Sequence, residues 1–162
     1  MASLQPLQRH FVLHSRPFSN TSLLLELLSA EGVRFPAVAK GVKGQGSRTQ
    51  GLLQPFRPLL LEVRGRGEVR TLIRIEPGGP PIALLGRRLY CGIYINELLV
   101  RLLGRNDGHA KLMSLYEETL GALVSGEEIE SPLRRFEIGL LGILGYGLIL
   151  DHDALTGLRV AP

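Results

Sequence analysis

The apolar residues of this chain change period near residue 80, and that change limits the fold more than any other feature. Before it, hydrophobic side chains recur every second residue, the spacing of a strand with one covered face. Leu7, Phe11 and Leu13 alternate with Gln8, His10 and His14, and Arg9 interrupts the apolar side. Leu23, Leu25 and Leu27 flank Glu26, and Phe35, Ala37 and Ala39 lie between Arg34 and Lys40. Leu59, Leu61 and Val63 alternate with Glu62, Arg64 and Arg66; Val69, Thr71, Ile73 and Ile75 alternate with Arg70, Arg74 and Glu76. Turn-forming residues separate the five runs at Pro17 with Ser19-Asn20, at Glu31-Gly32, from Gly41 to Gly51 and from Gly65 to Gly67. Five short antiparallel strands, apolar inside and basic outside, predict a small β-barrel of the OB type, with a flattened sandwich as the other arrangement of the same pattern.

Glu76-Pro77-Gly78-Gly79-Pro80-Pro81 can continue neither a strand nor a helix. Beyond it the spacing is helical. Leu112, Leu115, Tyr116, Thr119, Leu120 and Leu123 form one amphipathic stripe, with Asp107 as its expected N-cap. A helix from about Gly86 to Leu103 precedes it, with Glu97 and Arg101 ordered as an i,i+4 pair. Ser131-Pro132 reads as the cap and first residue of a third helix carrying Leu133, Phe136, Leu140 and Leu144. Gly139, Gly142 and Gly145 would let that helix approach a neighbour closely. The expected fold is therefore α+β: a five-stranded OB-fold barrel over residues 1–79, followed by an α-helical domain over residues 80–162.

Composition narrows the class. With 44% hydrophobic and 21% charged residues, a packed core is expected rather than disorder. The single cysteine, Cys91, rules out an internal disulfide and a four-Cys zinc site. The N-terminus lacks a basic segment followed by an apolar core, and the longest nearly uncharged run, residues 138–150, is shorter than the ~20 residues that span a bilayer. A soluble cytoplasmic protein is the expectation. Charge is divided unevenly: residues 1–80 hold 11 Lys and Arg against 5 Asp and Glu, whereas residues 81–162 hold 8 against 10. Such asymmetry suggests a polyanion-binding face on the first half.

Covalent chemistry finds no support. There is no phosphate-loop motif ending in Gly-Lys-Ser/Thr, no GxGxxG opening a helix and no GxSxG. Cys91 has no histidine near it in sequence and reads as a helix-face residue. His10 and His14 share the even face of the first run without an acidic or thiol partner, and Asp151-His152-Asp153 reads as a polar helix exit, so no metal is expected. No catalytic residue, no cofactor and no enzymatic activity are assigned.

Phosphate binding is what remains. Lys40-Gly41-Val42-Lys43-Gly44-Gln45-Gly46-Ser47-Arg48 mixes cations with glycines, which let backbone N–H groups approach a phosphate chain. Arg64, Arg66, Arg70 and Arg74 would share an outer face with this loop if their two strands pair as a hairpin. Lys40, Lys43, Arg48, Arg64, Arg66, Arg70 and Arg74 are therefore the expected phosphate contacts, converging into one groove, with Phe56 as a base-stacking candidate. With aromatic residues at only 6%, little sequence preference is expected. An RNA-binding OB module, or a protein-interaction scaffold without annealing activity, is the alternative class; a cold-shock type would need aromatic patches that are not found.

Five stretches, in this order, resemble the RecO family of bacterial recombination mediators. They are Phe11-Val12-Leu13-His14-Ser15-Arg16-Pro17-Phe18-Ser19 with Thr21-Ser22-Leu23; Val38-Ala39-Lys40-Gly41; Gly51-Leu52-Leu53-Gln54-Pro55-Phe56; Tyr94-Ile95-Asn96-Glu97-Leu98-Leu99; and Leu133-Arg134-Arg135-Phe136-Glu137 with Leu144-Gly145-Tyr146-Gly147. The resemblance runs from about residue 8 to residue 157. It implies an N-terminal OB-fold with a helical domain behind it, and binding of single- and double-stranded DNA with annealing of complementary strands. It also implies work with RecR and with the single-strand-binding protein SSB to load RecA in DNA repair. For the acidic, apolar-ended tail of SSB it suggests the helical domain, where Arg134 and Arg135 beside Leu133 and Phe136 offer charge and apolar surface, with Arg101 and Arg105 as a second choice. The family continues beyond its equivalent of Thr156-Gly157, so the helical domain here is expected to be incomplete relative to it. Asp153 stands where many members have Cys, and no structural zinc is expected.

Overall fold

The computed structural model describes residues 6–159 except 45, 127, 150 and 154. Five strands, β1 (Gln8–Pro17), β2 (Leu23–Ser29), β3 (Arg34–Ala39), β4 (Leu59–Arg64) and β5 (Arg70–Pro77), close into a barrel in the order β1-β2-β3-β5-β4. All pairs are antiparallel except β3 with β5, where Ala37 meets Arg70 and Val38 meets Thr71. A short helix, α1 (Arg48–Leu52), interrupts the β3–β4 connection. Three longer helices follow: α2 (Arg87–Leu102), α3 (Leu112–Ser125) and α4 (Glu130–Ile143). This is the expected α+β arrangement, an OB-type barrel with helices behind it, and no described helix is long and apolar enough to cross a membrane.

The inner wall is largely the face the alternation selects. Leu23, Leu25 and Leu27, Phe35, Ala37 and Ala39, and Leu59 and Leu61 form one buried cluster with Val12, Val42 and Leu53. β1 is the exception. Its predicted inner residues Phe11 and Leu13 face outward, into a second cluster with Ile95, Leu99, Leu112, Tyr116 and Phe136, and Val12 and His10 take the inside. Because β1 is buried on both faces, period 2 alone does not say which face is the barrel's. A bulge between Val12 and His14 then breaks the alternation, so that His10 is buried and His14 exposed rather than both sharing a face. β5 breaks register too. Leu72 and Ile75 pack inward, and Ile73, placed inside by the sequence pattern, is half-exposed.

The helices therefore rest on the barrel through one shared core. Phe11, Leu13, Leu28 and Phe56 supply the barrel side of it. Gly92 on α2 marks the closest approach: an added Cβ would stand 2.8 Å from the Phe56 ring and 2.5 Å from a Leu84 methyl. A buried polar chain crosses the same seam, in which the Tyr116 hydroxyl donates to Asn96 Oδ1 (2.8 Å) and Asn96 Nδ2 donates to the Leu13 carbonyl (3.0 Å). Burial removes water from that hydroxyl and pushes its pKa far up, so it stays a donor. The Pro/Gly segment is pinned, with Gly78 N–H on Pro58 O (2.8 Å) and Ile82 N–H on Phe56 O (2.8 Å).

Two expected caps move. α3 starts at Leu112 after Lys111, with no side-chain cap, and the Asp107 carboxylate lies instead over Gly104. α4 starts at Glu130, and Ser131 inside it accepts a hydrogen bond from Arg135 (3.1 Å). Of the three glycines, Gly139 alone packs on a neighbour, Leu115; Gly142 has open space beside it, and Gly145 (φ +85) ends the helix. Asp151-His152-Asp153 lies well past the end of α4. Asp153 Oδ1 accepts from the backbone of Leu155 and Thr156, which holds its carboxyl below the usual range, so the segment is a local turn and not a helix exit.

His10 gives the barrel a pH dependence. Its ring is 1% exposed, lies edge-on to Phe35, and shares a hydrogen bond with the Gln8 carbonyl through Nδ1 (2.8 Å). Desolvation lowers its pKa and nearby Arg70 adds to that, outweighing the opposing Gln8 carbonyl and Glu31. The folded state therefore binds fewer protons than the unfolded chain as pH falls below about 6.5, and stability falls with it. Urea unfolding at several pH values checks this: the wild type is expected to lose midpoint concentration between about pH 6.5 and 5 faster than His10→Gln. Parallel curves would contradict it.

Candidate nucleic-acid interface

The β1–β2 turn and the β3–α1 loop form one end of the barrel. Pro17 and Ser19 break the strand, and Ser19 Oγ accepts from the N–H groups of Thr21 (3.4 Å) and Ser22 (3.2 Å). Phe18 N–H donates to Ser22 O (3.0 Å), which closes the turn. The loop after β3 is tied to it twice: Lys43 N–H donates to Thr21 O (3.0 Å) and Lys43 Nζ to Ser19 O (3.0 Å). Gly41 (φ +67) and Gly46 (φ +76) hold left-handed conformations that a side chain would resist. Ser47 caps α1 by accepting from Gln50 N–H (3.2 Å), so Arg48 opens a helix rather than lying in the glycine loop.

This end is cationic without compensation. Arg16, Lys40 and Arg48 are exposed, and among the described residues none of them, nor Lys43, makes an ion pair. The sequence places no Asp or Glu from residue 1 to 25 or from residue 32 to 61. Arg16 and Phe18 were not among the expected contacts; an arginine and a phenylalanine flanking Pro17 in a turn were the available signal.

Of the strand arginines, Arg64, Arg70 and Arg74 each have a partner on the protein itself. β5 runs parallel to β3 and enters beside Ala37, so the β4–β5 tip carrying Arg66 lies toward the start of β3, away from Lys40. Arg64 is held by buried Glu62 (2.7 Å), and Arg74 pairs with Glu76 (2.8 Å). Arg70 stacks on the buried Phe35 ring (3.9 Å to its centre) and donates to Asn106 Oδ1 (3.1 Å). Of the seven expected cations, Arg64 and Arg74 are thus each held by a carboxylate and Arg70 by Phe35 and Asn106, whereas Lys40, Lys43, Arg48 and Arg66 make no ion pair among the described residues. Phe56, the stacking candidate, is 6% exposed and fills the core against α2.

On α4, Phe136 is fully buried and Leu133 is partly buried on the same core, so the apolar half of the expected tail site is turned inward. Arg134 pairs with Glu137, which also accepts from the Tyr94 hydroxyl (2.7 Å) and raises that phenol's pKa, and Arg135 bonds Ser131. Of the second choice, Arg101 pairs with Glu97 (2.7 Å) and Arg105 with Glu26 (3.2 Å). Among the described residues, no three His, Cys, Asp or Glu side chains come together as a metal site, and Cys91 is a half-buried thiol packed against the shared core.

A closed five-stranded barrel in this strand order, with a helical layer sealed to its outer wall, defines an OB-fold protein. The chain belongs to the RecO family: residues 2–80 match the model of the recombination protein O N-terminal region and residues 86–162 that of its C-terminal region. Curated relatives named DNA repair protein RecO include those of Pseudoalteromonas atlantica (45% identical over 93% of this chain and 63% of the relative) and Nitrosospira multiformis (46%, 98% and 65%). A third is that of Nitrosococcus oceani (48%, 93% and 61%). The chain therefore spans a little under two thirds of the length of these relatives.

Proposed function

We propose that the chain is the DNA-binding portion of a DNA repair protein, and that the β1–β2 turn with the β3–α1 loop is its nucleic-acid interface. The observation that carries this is the set Arg16, Lys40, Lys43 and Arg48 at one end of an OB-type barrel, in stretches of sequence free of acids and without an ion pair among the described residues. Cations there lower the repulsion between two strands that approach each other, and leave their bases free to pair. Annealing of complementary single strands then needs no covalent step. Loading of RecA onto SSB-coated DNA, with RecR as a further partner, follows from the family alone. Docking of the SSB tail on α4 keeps Arg134 and Arg135 as candidates and loses Phe136.

Four phosphate contacts give a slope of log K against log salt of about −3 on single strands. Fluorescence anisotropy of a labelled oligonucleotide across a salt series measures it. A slope near −5 would require about seven contacts, and a slope near zero would remove phosphate binding.

A further inference from the structure

Resting on that reading, we propose that Phe18 stacks on an unpaired base, so that this end of the barrel selects single strands over duplex. The chain has five phenylalanines, and four of them, Phe11, Phe35, Phe56 and Phe136, are at most 6% exposed. Phe18 is 61% exposed and belongs to neither buried cluster. A lone exposed apolar side chain needs no explanation by itself. This one sits on a turn fixed by four hydrogen bonds, with Arg16 two residues before it. The Lys43 ammonium lies against the carbonyl of the next residue, Ser19.

An exposed aromatic ring on a hydrogen-bonded turn, with Arg16 before it and Lys43 on the next carbonyl, meets the two requirements of single-strand binding, charge along the backbone and a platform for a base. In duplex DNA both faces of each base are covered by its neighbours, so the platform has nothing to take. The other exposed aromatics, Tyr90, Tyr94 and Tyr146, belong to the helical layer, where Tyr94 donates to the Glu137 carboxylate. Tyr90 follows Arg87 and Arg88 on α2, but Arg88 donates to the Gly126 carbonyl (2.6 Å), and none of the three tyrosines lies on the β1–β2 turn.

The test uses the 162-residue chain with three labelled probes: oligo-dT, an abasic oligomer of the same length, and a duplex. Phe18→Ala is expected to weaken oligo-dT binding about tenfold, the scale of one stacked base. It should leave the abasic oligomer, the duplex and the salt slope unchanged. Phe18→Trp is expected to keep oligo-dT affinity and to show indole quenching with oligo-dT but not with the abasic oligomer. Phe18→Ala binding oligo-dT as the wild type does would overturn the stacking residue and leave the phosphate interface standing. Equal losses on oligo-dT and abasic oligomer would make Phe18 a prop for the turn, which also overturns it. A wild type that binds no probe would overturn the interface and the stacking residue together.

Discussion

Glu26→Gln is expected to lower the unfolding free energy by about 3–5 kcal/mol. Glu26 lies on β2 with its carboxylate nearly closed off from water, between two guanidinium groups: Arg34 on β3 (2.8 Å) and Arg105 after α2 (3.2 Å). Arg34 is itself 8% exposed and spends Nε on the Leu103 carbonyl (3.2 Å). The backbone follows the same seam, with Asn106 N–H on Arg34 O (2.8 Å) and a parallel bridge between Arg34 and Arg105. Neutralising the one carboxylate leaves a buried cation with no counter-charge beside a second cation, and desolvation then outweighs the remaining hydrogen bonds. The control is Glu26→Leu with Arg34→Met, which removes both charges and should recover most of the loss. Urea unfolding of the three proteins decides it; Glu26→Gln within about 1 kcal/mol of wild type would mean that the seam does not depend on this charge.

Much of this architecture can be read from the residue pattern, and the failures have physical causes. The five strands fall where the alternation ends in Gly, Pro and Ser-Asn turns, and α2 was expected to within a residue of its observed limits. Faces are harder than elements. β1 is covered on one side by the barrel and on the other by α2 and α3, so Phe11 and Leu13 satisfied the pattern while facing the helices. Phe56 and Phe136 show the same difficulty at the level of function: an aromatic near cations in sequence can serve a base, a partner or a core, and the shared core took both.

Charge pairing was the least legible. Arg64 with Glu62 and Arg74 with Glu76 are i,i+2 neighbours on one strand face, a spacing that was present but was read as basic surface. Arg16, Lys40, Lys43 and Arg48, which make no ion pair among the described residues, lie in stretches without a carboxylate, and that absence is the better signal. The placement of the β4–β5 tip and its Arg66 toward the start of β3 follows from the parallel β3–β5 register, which no local pattern encodes.

The central claim is that one end of the barrel, and not its arginine-bearing strands, binds nucleic acid. Two charge-reversed chains compared on a single-stranded oligonucleotide at low salt test it most directly. The triple variant Lys40→Glu, Lys43→Glu and Arg48→Glu is expected to lose at least a hundredfold in affinity, about 2.7 kcal/mol or more. Each reversal deletes an attraction to phosphate and adds a repulsion, without disturbing a buried pair. The double variant Arg66→Glu and Arg74→Glu changes exposed charges on the β4–β5 hairpin and is expected to stay within about threefold of wild type. A double variant that no longer binds, beside a triple variant that binds normally, would contradict the assignment.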